Sequence, residues 1–175
     1  MHETAPTNHA RTLWSPASAD WSVVRPQWTA RPVRGLGQTL VSGDIGSAVA
    51  ALAPGSPEAG LWSVVPASGS VVRTGRDRAV LVSSMPMDIV SGWRDGFAAT
   101  PADALYAVIE LAGDGVRQLV SQGAGVDLDA GSQSAALLFA GVHAFLYRTA
   151  ETVARLHVDA PYETYLRDWL DGADG

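Results

Sequence analysis

At 175 residues the chain has room for one real core, or for two small lobes sharing an interface, without disulfide or metal staples. It has no cysteine and no lysine, its twelve cations all being arginine, which excludes disulfides, thiolate metal sites, a cysteine nucleophile, thiol-linked flavin, Schiff-base chemistry and a phosphate-loop lysine. A net charge of −6 with scattered arginines gives no basic stripe for nucleic acid. The N-terminus lacks the basic and apolar regions of a leader, and no apolar run reaches the about twenty residues that span a bilayer, so a soluble, cytoplasmic protein with no nucleic-acid or membrane partner is expected.

Residues 1–32 carry Pro6, Pro16, Pro26 and Pro32, which rule out a continuous helix, and read as an extended arm. The arm also holds Trp14, Trp21 and Trp28, a large aromatic surface in a segment too short to build its own core. Such rings either fold back over the chain's own domain or contact a partner, where tryptophan is enriched among interface anchors.

From residue 33 the pattern becomes periodic. Residues 37–41 read as a strand, Asp44 caps a helix over 45–52 with Val49 and Leu52 facing inward, and Pro54-Gly55 ends it. Residues 61–65, 71–74 and 78–83 read as strands, the last two joined by a tight hairpin at Gly75-Arg76-Asp77. Ile89, Val90, Trp93 and Phe97 recur at helical intervals and predict a short closing helix over 86–97. This first lobe, 33–98, ends at a joint of Ala98-Ala99-Thr100-Pro101.

The second lobe, 99–175, begins with an apolar strand over 104–111 that Gly113-Asp114-Gly115 breaks. Val116, Leu119 and Val120 then recur at helical spacing, with Asp114 as the N-cap and Gly123 as the stop. The apolar region 135–158 is interrupted at Ala140-Gly141 and at Ala150-Glu151-Thr152, giving three short strands. A last helix over 161–170 starts on Pro161, with Tyr162, Tyr165, Leu166, Trp169 and Leu170 on one side. The order β-α-β-β-β-α matches the first lobe's β-α-β-β-β with its closing helix. The fold class is α+β with antiparallel or mixed sheets.

Chemistry-bearing residues are sparse. A dinucleotide fingerprint starting at Gly113 fails at Gln118, so the glycine pair reads as close backbone approach at a tight turn. Asp127 and Asp129 share a side of an extended chain, with Asp114 a neighbour, either as a carboxylate pair or as a solvated turn anchored by Leu128. His143 and His157 alternate with apolar residues without a nucleophile elbow or metal-type spacing, and His2 and His9 lie in the arm.

The succession L-A-G-D-G-V-R-Q-L-V, G-A-G-V-D-L-D, F-A-G-V-H-A-F-L-Y-R-T and Y-E-T-Y-L-R-D-W-L-D, with L-G-Q-T-L-V-S-G-D at 36–44, resembles the γ subunit of heterotetrameric sarcosine oxidase. That family in turn resembles the folate-binding part of the glycine-cleavage aminomethyltransferase, the T-protein. The resemblance spans roughly residue 35 to the C-terminus and contains no catalytic signature.

It implies two small ferredoxin-like lobes of the aminomethyltransferase folate-binding type behind the arm. It also implies a non-catalytic γ subunit bracing the large α subunit of a flavin-dependent complex that oxidatively demethylates sarcosine or a similar N-methyl amine. FAD, FMN, NAD and tetrahydrofolate would then belong to the α, β and δ partners, none being bound by this chain, and Trp14, Trp21 and Trp28 are the partner-contact residues of this reading. T-protein relatives follow their arginine-threonine step with a glycine- and glutamate-containing loop that helps enclose folate. Here Arg148-Thr149 is followed instead by the glycine-free residues 150–154, with Glu151 among them. The alternative is a stand-alone, degenerate aminomethyltransferase-like protein binding folate in the cleft between lobes through Asp127, Arg148 and Glu151. A third option is self-association by exchange of the arm.

Overall fold

The computed structural model describes residues 20–174. In chain order these form β1 (Val23–Val24), β2 (Thr29–Val33), β3 (Gly37–Gly43), α1 (Ile45–Leu52), β4 (Glu58–Ala59), β5 (Gly69–Gly75), β6 (Arg78–Ser83), β7 (Gly92–Arg94) and β8 (Phe97–Pro101). There follow β9 (Tyr106–Ala112), α2 (Val116–Gly123), β10 (Ala136–Phe139), β11 (Val142–Ala150), β12 (Val153–Asp159), a 3₁₀ turn (Ala160–Tyr162) and α3 (Glu163–Gly172).

The strands make two six-stranded sheets, one ordered β4-β5-β6-β3-β8-β7 and the other β1-β2-β9-β12-β11-β10. All neighbours are antiparallel except β4 and β5. The alternation of side chains along each strand places the cores. In β5 and β6, Val71, Ala79 and Leu81 pack under Ile45 and Ala48 of α1, whereas Val72, Val80 and Val82 face the other sheet and meet Tyr147. In β9 and β12, Ile109, Leu111, Ala154, Leu156 and Val158 pack under Leu119, Val120, Leu166 and Leu170 of α2 and α3. The order of layers is therefore helix, sheet, sheet, helices, and both sheets are covered on both faces. Each fully buried Leu, Ile or Phe contributes about 1.5–3 kcal/mol to this arrangement.

Local chemistry explains the elements that match expectation. Asp44 Oδ1 accepts the Ser47 backbone N–H at 3.1 Å and its Oδ2 accepts the Ser47 hydroxyl at 2.7 Å, which starts α1. Ala140-Gly141, both at positive φ, close the β10–β11 hairpin, with Phe139 opposite Val142. The β5–β6 hairpin forms with a bulge between Arg73 and Gly75.

Four expectations are corrected. The helix expected over 86–97 is absent, and residues 92–101 form the β7–β8 hairpin with Trp93 opposite Ala98. Asp95-Gly96, at φ 49° and 84°, makes its two-residue turn, and that dipeptide outweighs the helical spacing of Ile89, Val90, Trp93 and Phe97. The expected joint at 98–101 is accordingly β8, and the chain crosses between sheets at 102–105, where Ala102 N–H donates to the Gln38 carbonyl.

Residues 61–65 form no strand in a sheet. They cross to the opposite lobe through single bridges of Leu61 to Ser132 and Val64 to Arg148. The described part of the arm is extended as expected, yet β1 and β2 are built into a sheet, with β2 antiparallel to β9. Pro32 is tolerated because β1 pairs only with Thr29 and Ala30, leaving its outer side without a ladder.

The lobes approach closely at Gly60, where an added Cβ would lie 2.0 Å from the Ser132 carbonyl oxygen and 3.1 Å from Gln133 Cα. Gly60→Ala is expected to lower stability by about 1–3 kcal/mol, the usual range for forced overpacking, in urea unfolding. Gly125→Ala, which has nothing within 4 Å of the added Cβ, is the control and should stay within about 0.5 kcal/mol of the parent.

Candidate functional site

The polar side chains between the sheets follow from strand register. Because Leu156 and Val158 of β12 face the helices, Arg155 and His157 face the opposite sheet. His157 is 1% exposed and lies 2.8 Å from Gln38 Oε1 through Nδ1 and 3.0 Å from the Tyr147 hydroxyl through Nε2. Gln38 Nε2 donates to the Tyr106 carbonyl at 3.0 Å, which leaves Oε1 as the acceptor. His157 Nδ1 therefore carries the proton, and Nε2 accepts the Tyr147 hydroxyl.

The Gln38 backbone N–H donates to Asp103 at 2.6 Å. Burial, and secondarily the Arg155 charge, hold the His157 pKa down at about 3, while burial raises that of Tyr147. The chain Tyr147–His157–Gln38–Tyr106 is thus a neutral brace between lobes.

Trp62 and Arg148 make a second link. Trp62 sits at φ 62°, an uncommon conformation for a bulky residue, and its ring joins the core under α2 and α3. Arg148 Nε donates to the Trp62 carbonyl at 3.0 Å, its guanidinium carbon lies 4.9 Å from the indole centroid, and Nη1 reaches Glu151 Oε1 at 3.2 Å. Beside them is a recess of about 200 Å³ reached also by Asp114, Arg117 and Thr152. A wider groove of about 1090 Å³ runs between the lobes past Glu58, Arg73, Arg76 and residues 130–134. Arg73 and Glu58 pair there through two hydrogen bonds of 3.0 and 2.8 Å, which lower the Glu58 pKa and raise that of Arg73.

The three residues expected to converge on folate are separated. Arg148 and Glu151 share the recess, and Asp127 lines neither hollow. Asp127 instead accepts the Asp129 backbone N–H at 2.9 Å, Asp129 pairs with Arg117 at 2.6 Å, and Leu128 is buried, as the solvated-turn reading has it. Asp114 does not cap α2, whose N-cap is Gly115 without a side-chain bond. The glycine pair makes room for the N-terminal segment, since a Cβ on Gly113 would lie 2.4 Å from the Gln27 carbonyl oxygen and the Gly115 N–H donates to that oxygen. His143 is exposed on β11. Among the described residues no group of three or more His, Asp or Glu is placed to hold a metal ion, and no helix is long and apolar enough to cross a membrane.

Trp28, at 2% exposure, is part of the core under α2 and α3. Trp21 packs half-buried at its rim and donates from Nε1 to Glu163 at 2.9 Å. Arg34 also pairs with Glu163, at 2.5 Å, and that bond raises the arginine's pKa. Arg25 donates to the Asp171 carbonyl. The two described indoles of the arm, Trp21 and Trp28, are thereby engaged by this chain's own second lobe, while Trp14 lies outside the described residues.

Two face-to-face β-sheets with helices on their outer faces place the protein in the α+β class, a small two-sheet unit. The same fold occurs in a chain of the heterotetrameric sarcosine oxidase from Corynebacterium sp. U-96, solved in complex with pyrrole 2-carboxylate. The TM-score is 0.67 with 19% sequence identity, over 83% of this chain and 82% of that chain. No family model matches the sequence, and no curated protein matches it.

Two outcomes test this account. Trp28→Ala should cost about 3–5 kcal/mol in urea unfolding of the isolated chain, the range for emptying a buried tryptophan site. Between pH 6.5 and about 3 the unfolded chain protonates His157 while the native chain does not, so stability falls with pH across that window. The slope from this histidine is up to about 1.4 kcal/mol per pH unit. Unfolding at about pH 7, 6.5 and 5.5, where carboxylates remain almost wholly ionised, should show a slope that His157→Gln flattens.

Proposed function

We propose that this chain is a non-catalytic γ-type subunit of a heterotetrameric, flavin-dependent oxidase that demethylates sarcosine or a similar N-methyl amine. The observation that carries the reading is the fold likeness to a chain of heterotetrameric sarcosine oxidase, at TM-score 0.67 over about four-fifths of both chains. In this reading the protein is cytoplasmic and braces a large α subunit. The β and δ subunits complete the assembly, and FAD, FMN, NAD and tetrahydrofolate reside on the partners.

The interior chemistry supports a brace. His157 and Tyr147 bond each other, and Glu163 is held by Trp21 and Arg34, so the groups best suited to acid–base work are spent on joining elements.

In the first lobe β8-β3-β6-β5 run in the spatial order of a ferredoxin-like sheet, with β7 and its approach in place of the second helix. In the second lobe β2-β9-β12-β11 run in the same order, with the N-terminal strand β2 occupying the position that α3 would otherwise lead into. These orders support the reading of two ferredoxin-like lobes, the second in permuted form.

Affinity purification of the tagged chain from its native cells tests the assignment. The expected eluate contains large flavoprotein subunits identified by mass spectrometry, has a yellow flavin spectrum and oxidises sarcosine or another N-methyl amine. A colourless, solitary chain overturns it, and if that chain binds a reduced folate in titration the stand-alone folate-binding reading takes its place.

A further inference from the structure

Scattered single apolar residues are normal on a surface, but a cluster of them requires a cover. The three most exposed large apolar side chains of the described residues, Val90 at 78%, Trp93 at 69% and Met85 at 68%, fall within one stretch of nine residues. The stretch leads into β7, which pairs with β8 on one side and forms the outer edge of its sheet. It is not a loose tail. Met87 and Ile89 turn inward onto the core beneath α1, and the Trp93 ring rests against β3, where a Cβ on Gly43 would meet Cη2 at 3.2 Å. Arg94, the one cation of residues 85–95, engages its guanidinium within the chain: Nη2 donates to the Val90 carbonyl at 3.3 Å and the guanidinium carbon lies 5.8 Å from the Phe97 centroid.

The unpaired charges at the margins of this patch are carboxylates. Asp88 and Asp95 are exposed at its margins, and among the described residues neither forms an ion pair. A two-fold contact between copies of this chain would bring these carboxylates against their own symmetry mates, which costs free energy and disfavours self-association. A partner with arginine or lysine at matching positions would pair them and bury the indole at the centre, where tryptophan contributes most.

We propose that the 85–95 edge of the first lobe is the docking surface for a partner protein whose contact face is apolar at its centre and basic at its rim. The inference rests on the subunit reading and names the part of this chain that the large subunit would grip.

The test uses the complex recovered from native cells through the tagged chain. Val90→Ser/Trp93→Ser and Asp88→Arg/Asp95→Arg variants should each co-purify about tenfold less of the large subunit, as loss of a central anchor or reversal of a charged rim does. Asp88→Arg and Val90→Ser alone, at exposed sites outside the turn, should melt with the parent as isolated chains and still lose the large subunit. Asp95→Arg at a positive-φ turn position and Trp93→Ser against β3 lower the melting temperature and are compared at a temperature where each chain stays folded. Hydroxyl-radical oxidation of Met85 and Trp93 should fall severalfold in the complex relative to the free chain.

If both variants retain the large subunit and Trp93 oxidises equally in both states, the docking surface is wrong while the subunit reading stands. A parent chain that emerges alone and colourless overturns both. A homodimer that the Trp93 variant dissociates assigns the patch to a second copy and overturns the basic-rimmed partner.

Discussion

Both sheets are covered on both faces, so the polar groups that strand alternation turns toward the middle have chiefly one another as partners. An unpaired buried donor or acceptor costs about 1–3 kcal/mol, more than a made hydrogen bond returns. Gln38 and His157, on different sheets and 119 residues apart, meet this demand for each other at 2.8 Å, and Tyr147 closes the remaining histidine nitrogen. Gln38, turned by its bond to the Tyr106 carbonyl, offers Nδ1 only an acceptor, and burial beside the like-charged Arg155 keeps the imidazole neutral. The brace therefore fixes the tautomer, and the tautomer fixes how the two lobes face each other.

The elements governed by neighbouring residues were legible in the sequence. Asp44 capping α1, the strand at 78–83, the strand expected over 104–111 and found at Tyr106–Ala112, the Ala140-Gly141 turn and the helix behind Pro161 all follow from chemistry within a few positions. The closing helix at 86–97 failed because helical spacing of four apolar residues was set against the stronger local instruction of Asp95-Gly96. Residues 61–65 failed for a different reason. Their backbone partners, Ser132, Leu146 and Arg148, lie on the other lobe, and no local pattern announces such a crossing.

The site chemistry was less legible than the fold, since most of it is made across long separations. Nothing near Arg148 in sequence points to Trp62, and nothing near Gln38 points to His157. Asp127 and Asp129 looked alike as residues, yet one closes a turn and the other pairs with Arg117. The tryptophans show the same limit, because composition marked Trp28 as a ring in need of burial but only register shows it filling the core beneath α2. Trp93, one of the four residues whose spacing predicts the closing helix, is instead an exposed ring on β7.

The place of β2 bears on how the chain is made. Thr29 pairs with Ala112, 83 residues later, so this strand leaves the ribosome long before its partner does. At synthesis rates of about 5–20 residues per second the interval is on the order of ten seconds, far longer than the microseconds in which hairpins form. Over that time Trp21 and Trp28 belong to a nascent segment with no lobe to enter, while β3 to β8 can already close their own sheet. The prolines at positions 26 and 32 then act as protection, keeping the waiting strand a poor template for pairing with another chain.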